Sequence, residues 1–381
     1  MSSRMIQIAE PTVGELELDA LRDPIESGWL TQGAKVAEFE RIFAERHQTA
    51  HALATTSCTT ALQLALAILG VGPGDEVIVP AFTWVATAAV VVHCGAVPVF
   101  VDVDEATYNL RIDQVADALT DKTRAVIPVH LFGLCAEMDE LRAAVPESVR
   151  LVEDAACAVG AMHGETPAGA LGDLAAFSFH PRKIITTGEG GMLTTSDPAY
   201  AERGQMLRNH GATISEEVRH AGPQPYLLPD FDEAGFNFRM TDLQGAIGVA
   251  QMSRLDGLLA DRRARAAWYT EQLAAFDWIV PPVQPPGFTH SWQAYVARIA
   301  PGARVDRNGV MSGLHEAGVS TRPGTHAVTD LGSFRGRYTE PSGGCVTASA
   351  LESSTIALPL HGRMSDDDYD YVVEQLEVAA R

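Results

Sequence analysis

Three short stretches carry residue types that could do chemistry. Glu153-Asp154-Ala155-Ala156 follows the apolar run RLVE, so a carboxylate stands at the end of a strand. Such an acid can point into a crevice, or it can simply cap the next helix. Further on, Phe177-Ser178-Phe179-His180-Pro181-Arg182-Lys183 leads into Thr186-Thr187-Gly188-Glu189-Gly190-Gly191. A lysine just past a strand end and backed by Phe residues is expected to be partly desolvated. Desolvation lowers an amine pKa and makes it nucleophilic towards carbonyls. The plainer alternative is a solvated surface lysine followed by an ordinary glycine turn. The third stretch, Ser57-Cys58-Thr59-Thr60, opens a helical pattern. Free backbone N–H groups and hydroxyls at a helix N-terminus suit a phosphate, although Ser and Thr also serve there as plain caps. Each signal is weak alone. Pyridoxal phosphate (PLP) needs all three: a lysine for the Schiff base, a carboxylate for the pyridinium nitrogen, and a cup for the phosphate.

The elements that would position these residues follow a βαβ rhythm. Glu76–Val79, Pro98–Val103, Arg124–His130, Arg150–Glu153, Ala175–Phe179 and Met192–Thr195 read as strands. Ser57–Leu69, Trp84–His93 and Met138–Ala144 read as helices between them. This pattern predicts an α/β fold with a mostly parallel central sheet covered by helices on both faces. Ligands in such sheets bind at the carboxyl ends of the strands. From Met240 to Phe276 the pattern is helical throughout, as one long helix or two in series. After the breaker cluster Pro281, Pro282, Pro285, Pro286 and Gly287 come a strand near Gln293–Ile299 and helices near Arg307–Ala317 and from Asp366. The expected organisation is a large α/β domain over residues 1–255 and a smaller α+β domain over 256–381.

Composition excludes several classes. The 381 residues carry 28 Lys+Arg against 49 Asp+Glu, a net charge of −21. That balance argues against nucleic acid and against anionic membrane surfaces. Five cysteines at 58, 94, 135, 157 and 345, with no CxxC pair, fit free thiols in a reducing compartment. The N-terminus has no apolar h-region, so a cytoplasmic location is expected. The string Ser365-Asp366-Asp367-Asp368 reads as a capping box and not as a metal loop, and no metal site is expected. GxSxG, HExxH, Walker A and GxGxxG strings are absent from the sequence.

Five motifs resemble the DegT/StrS sugar aminotransferases, a branch of the fold-type-I PLP enzymes. They are SGWLTQG (27–33), VPAFTWVAT (79–87), VEDAACAVGA (152–161), SFHPRKIITTGEGGM (178–192) and GFNFRMTDLQGAIG (235–248). The resemblance implies that Lys183 is the Schiff-base lysine and the acid/base of the proton shift, and that Asp154 pairs with the pyridinium nitrogen. Trp84 falls where the family stacks an aromatic ring on the cofactor. Cys58, Thr59 and Ser178 match the phosphate cup. Asn237 matches a residue that reaches the phosphate from a neighbouring subunit, which implies a homodimer with shared active sites; Arg239 could serve there instead, or face the substrate. His326, after Thr325, lies where the family often has a substrate-side His or Tyr. Two positions depart from the pattern: Cys58 replaces the usual Gly or Ala, and Cys157 replaces the usual Gln or His near the ring oxygen of the cofactor.

By resemblance, the reaction is transfer of an amino group from glutamate or glutamine to a keto-sugar, with a nucleotide-linked 3- or 4-keto-deoxyhexose foremost. Such chemistry belongs to amino sugar biosynthesis for antibiotics or polysaccharides. A keto-cyclitol or another secondary-metabolite ketone is the runner-up. Family dehydratases carry His in place of the lysine, and Lys183 is present. A ligand-sensing regulator of this fold would show a damaged Lys or Asp, and both are intact. A same-fold lyase or desulfurase would need a mobile cysteine, whereas Cys157 is tethered three residues from Asp154. Basic residues at the pocket mouth, needed for an acceptor carrying a diphosphate, cannot be singled out from sequence.

Overall fold

In the computed structural model, which describes residues 5–213, 226 and 228–380, seven strands form the central sheet. They are β1 (His51–Thr55), β2 (Glu76–Pro80), β3 (Val97–Val101), β4 (Thr123–Val126), β5 (Arg150–Asp154), β6 (Leu174–Ser178) and β7 (Gly191–Thr195), in the spatial order β1-β7-β6-β5-β4-β2-β3. Neighbours from β6 to β3 run parallel, as the βαβ rhythm requires. The exception is β7, antiparallel to both β6 and β1. Its reversal has a local cause: β6 and β7 are joined by residues 179–190, with no crossover helix between them. That connection carries Lys183.

The strands are almost wholly buried, as expected for a sheet covered on both faces. The Cys58–Ile68 helix packs along β6 and β7 and buries Leu62, Leu64, Leu66 and Ile68. On the other face, Phe39 and Phe43 of the Ala34–Arg46 helix meet Phe177 and Phe179 edge-on or tilted, with ring centroids 4.9–5.5 Å apart. This aromatic cluster fixes the end of β6 just before Lys183.

The continuous helical pattern after Met240 resolves into two helices, Asp242–Ser253 and Leu255–Leu273, parted at Arg254. The longer one buries Leu255 and Leu259 with the central sheet's core. Its far end places Tyr269 and Leu273 in a second core. That core lies under a four-stranded antiparallel sheet of β8 (Ile279–Val280), β9 (Tyr295–Ile299), β10 (Arg322–Pro323) and β11 (Thr355–Leu358), ordered β8-β9-β11-β10. The closing Asp366–Ala379 helix starts at a capping box in which Ser365 and Asp368 exchange backbone-to-side-chain hydrogen bonds of 3.3 and 3.0 Å. Among the described residues no helix is long and apolar enough to cross a membrane, and no group of three His, Cys, Asp or Glu side chains is arranged to hold a metal. All five cysteines are free thiols.

Candidate active site

The carboxyl ends of β5 and β6 and the N-terminus of the Cys58–Ile68 helix converge on one cavity of about 390 Å³. Lys183, Asp154, Cys58, Thr59, Trp84, Cys157 and Ser178 all line it.

Asp154 ends β5 and is buried. Its carboxylate accepts hydrogen bonds from Thr87 Oγ1 (2.8 Å) and from the Ala156 N–H (3.2 Å), and Cys58 Sγ stands 4.0 Å away. Thr83 Oγ1, at the end of a short strand, lies 3.1 Å behind Thr87 Oγ1 in the first turn of the following helix, so the two threonines relay hydrogen bonding to the acid. Burial pushes the Asp154 carboxyl above its ordinary range; the two hydrogen bonds and the Lys183 charge partly offset this. Sequence reasoning missed Thr87, because its partner Asp154 lies 67 positions away.

The adjacent acid has a different environment. Glu153 Oε2 lies 2.8 Å from His130 Nε2 and also accepts from the Gly169 N–H (2.7 Å). Its Oε1 accepts from the Leu171 and Gly172 N–H groups at 2.8 and 2.7 Å. His130 Nδ1 accepts from the Ala136 N–H, so Nε2 carries the proton donated to Glu153. This group is saturated and structural.

Lys183 sits in a loop fastened by hydrogen bonds. Its N–H donates to His180 O (2.8 Å), Thr186 Oγ1 donates to Phe179 O (2.8 Å), and the Thr186 N–H donates to Gln251 Oε1 (3.2 Å). The lysine Nζ points at Cys157 Sγ, 3.1 Å away. Burial alone would depress its pKa, the expectation from sequence. The Cys157 sulfur, with lesser contributions from Cys58 and Asp154, outweighs burial, and the net direction is upward. That corrects the sequence argument: Cys157 and Asp154 stand beside the amine, and burial does not act on it alone. Burial and the Asp154 charge push the Cys58 thiol well up, so it is a neutral thiol at neutral pH.

A phosphate-sized cradle is built beside these groups. Ser57 caps the helix by accepting from the Thr60 N–H at 3.2 Å, leaving the first-turn amides of Cys58 and Thr59 at the cavity. Gly191 pairs with Ser178 across β6 and β7. A Cβ on Gly191 would lie 2.3 Å from Ser57 C and 2.6 Å from Cys58 N. Only glycine lets the helix terminus sit this close to Ser178. A carboxylate, an amine and an anion cradle around one cavity fit the ring nitrogen, aldehyde and phosphate of PLP.

Three predicted residues lie apart. Asn237 and Arg239 do not line this cavity; Asn237 bridges to Asn209, and Arg239 Nη1 donates to Asn209 Oδ1 at 2.6 Å. His326 does not line it either. It pairs with Thr83 in a two-residue strand, stands 3.4 Å from Glu352, and abuts Trp84 with ring centroids 5.7 Å apart. Its neighbour Thr325 is the lining residue.

The sequence pattern of the DegT/DnrJ/EryC1/StrS aminotransferase family matches residues 11–377. The chain belongs to that family. It is 37% identical over 376 residues to GDP-perosamine synthase of Caulobacter vibrioides, covering 98% of this chain and 97% of that protein. Among solved structures it is similar to Spr1654 of Streptococcus pneumoniae, described as a sugar aminotransferase and solved in its pyridoxamine phosphate form. That match has a TM-score of 0.92, 30% identity, and coverage of 98% and 99% of the two chains. It is also similar to 3-amino-5-hydroxybenzoic acid synthase, with a TM-score of 0.88, 32% identity and 99% of each chain covered. The protein is therefore a PLP-dependent aminotransferase of the fold-type-I architecture.

Proposed function

We propose that this DegT/DnrJ/EryC1/StrS aminotransferase moves an amino group from glutamate or glutamine to a nucleotide-linked 3- or 4-keto-deoxyhexose. The observation that carries the reading is the convergence of Lys183, Asp154 and the Ser178–Gly191 cradle on one cavity. The similarity to a GDP-perosamine synthase supports the nucleotide-linked acceptor. When bound, PLP supplies an aldehyde for the amino group and a ring that withdraws electrons from the donor's Cα.

The chain's own residues then have distinct tasks. Asp154, held ionised by Thr87 and the Ala156 N–H, keeps a proton at the ring nitrogen. Lys183 Nζ holds the amine position, and as acid/base it takes the proton from the donor's Cα in one half-reaction and delivers a proton to the acceptor's carbon in the other. Cys157, 3.1 Å from Nζ, orients the amine. The helix-terminal amides of Cys58 and Thr59 and the Ser178 hydroxyl bind phosphate. Trp84, exposed on the cavity wall, offers a stacking face.

We read the working unit as a cytoplasmic homodimer in which Asn237 or Arg239 of one protomer completes its partner's phosphate site. This accounts for residues that belong to the family pattern yet lie outside their own chain's cavity. The division into domains 1–255 and 256–381 is part of the same reading. The similarity to 3-amino-5-hydroxybenzoic acid synthase favours a second acceptor class, a secondary-metabolite ketone without a nucleotide.

The test is direct. Borohydride treatment of the PLP-loaded protein should fix the cofactor on the peptide containing Lys183, and glutamate with a keto-sugar should yield 2-oxoglutarate. Donor turnover by Lys183→Ala at wild-type rate would remove Lys183 from this role.

A further inference from the structure

Two arginines on the cavity wall have no task so far. Arg182 precedes Lys183 in the β6–β7 loop, and Arg322 lies on β10 of the second sheet; both line the cavity and both are exposed. Arg150, Arg203, Arg208, Arg254 and Arg265 are each ion-paired to a carboxylate. Among the described residues no hydrogen bond or ion pair holds the guanidinium of Arg182 or Arg322. In a chain of charge −21 with 49 acids, two cations left unneutralised on one wall call for an outside anion.

Of the two acids lining the cavity, Asp154 and the exposed Glu189, neither is ion-paired to either arginine. Asp154 lies deep beside Thr87, and the charge of Glu189 bears on His180. Burial and the nearby Arg182 charge push the Arg322 pKa down, as expected for neighbouring cations awaiting a counter-ion. Both backbones are fixed: Gln293 Nε2 donates to Arg182 O at 3.1 Å, and Arg322 pairs with Ala357 of β11. One cation thus comes from each sheet.

The geometry points to Arg182 and Arg322 as a two-pronged clamp for the diphosphate of the acceptor, selecting nucleotide-linked ketones over uncharged ones. The clamp rests on the nucleotide-linked acceptor proposed above. A diphosphate linking nucleoside and sugar carries about two negative charges at neutral pH, and planar guanidinium forks match its oxygens. It also offsets the repulsion that a chain of this charge exerts on a dianionic substrate. The amino-acid donor is a poorer match for this pair. Its Cα must reach Lys183 Nζ in the buried part of the cavity, whereas both guanidiniums are exposed on the wall.

The experiment is calorimetric titration of the PLP-loaded protein with GDP, UDP, dTDP and inorganic pyrophosphate, alongside acceptor and donor KM. The wild type should bind at least one nucleoside diphosphate. Arg182→Ala and Arg322→Ala should each weaken it about tenfold and flatten its salt dependence. Arg322→Lys should fall between, keeping charge without the fork. The loss should fall on acceptor KM and not on donor KM. If the variants bind as tightly as wild type, or if donor KM alone rises, the clamp is wrong while the acceptor class stands. If the wild type binds no nucleoside diphosphate, the nucleotide-linked acceptor falls and the clamp falls with it.

Discussion

Replacing Thr87 by Val tests how the protein holds a buried carboxylate ionised. Thr87 Oγ1 donates to Asp154 Oδ2 at 2.8 Å, and both residues are buried. A hydrogen bond to a charged group contributes about 1.5–3 kcal/mol. At about 1.36 kcal/mol per pKa unit, its loss should raise the Asp154 pKa by about 1 to 2 units. The direction follows from the donor: the hydroxyl stabilises the anion, so removing it favours protonation. Asp154 is already raised by burial, so the further rise brings its titration towards the working range. Below that pKa the carboxyl keeps the proton, and the cofactor's ring nitrogen loses its partner. The assay is kcat/KM against pH for the donor half-reaction. The acid limb of Thr87→Val should move to higher pH by about 1 to 2 units, with the high-pH plateau reduced less. Thr87→Ser keeps the hydroxyl and should track the wild type. Thr83→Val, which removes the hydroxyl behind Thr87, should shift the limb by a smaller amount. An acid limb for Thr87→Val superimposed on that of the wild type would refute the assignment of Thr87 as the group holding Asp154 ionised.

Two further outcomes are expected. Asp154→Asn should abolish transamination, yet its apoprotein should melt no lower than wild type at neutral pH. The folded-state pKa of Asp154 lies above its unfolded value, so its stabilising share is full below the unfolded pKa and is lost as pH rises through the folded one. Thermal melts of both apoproteins from acid to neutral pH should therefore converge or cross in favour of Asn as pH rises. Gly191→Ala places a Cβ 2.3 Å from backbone carbon, so the helix terminus must retreat by roughly 1 Å to regain ordinary contact. The overpacking should cost about 1–3 kcal/mol, and dialysis should strip PLP faster than from the wild type; unchanged retention would mean the cradle is not where phosphate binds.

Much of the fold was legible because its strands are short apolar runs closed by Pro or Gly, as in Glu76–Pro80, and its helices carry capping signals such as Ser57 with Thr60. The orientation of β7 was not legible, since periodicity reveals a strand without its direction. β1 escaped because HALAT is as compatible with helix as with strand. In the candidate site, Asp154 was singled out as an acid at a strand end and Lys183 as a lysine just past one. Thr87, Arg182 and Arg322 were not, for a physical reason: each matters through a partner distant in the chain. Thr87 meets Asp154 across 67 positions, and Arg322 reaches the cavity only once the second sheet folds against the first. The Lys183 pKa was misread for the same reason, because Cys157 and Asp154 become its neighbours only in space.

The consecutive acids of β5 set the alignment of the sheet. Side chains alternate along a strand, so Glu153 and Asp154 face opposite sides. Glu153 is met by one imidazole and three amides, and Asp154 by a threonine and the reacting groups. Sliding β5 by one residue between β4 and β6 would put each acid on the other's side. A carboxylate would then be buried without donors, and four donors would lose their acceptor, a penalty of several kcal/mol at least. Parallel strands with apolar runs on both faces have little else to tell one alignment from the next. The Glu153-Asp154 pair is thus a register lock for the sheet, and the strand that brings Asp154 to the cavity is the one least free to slip.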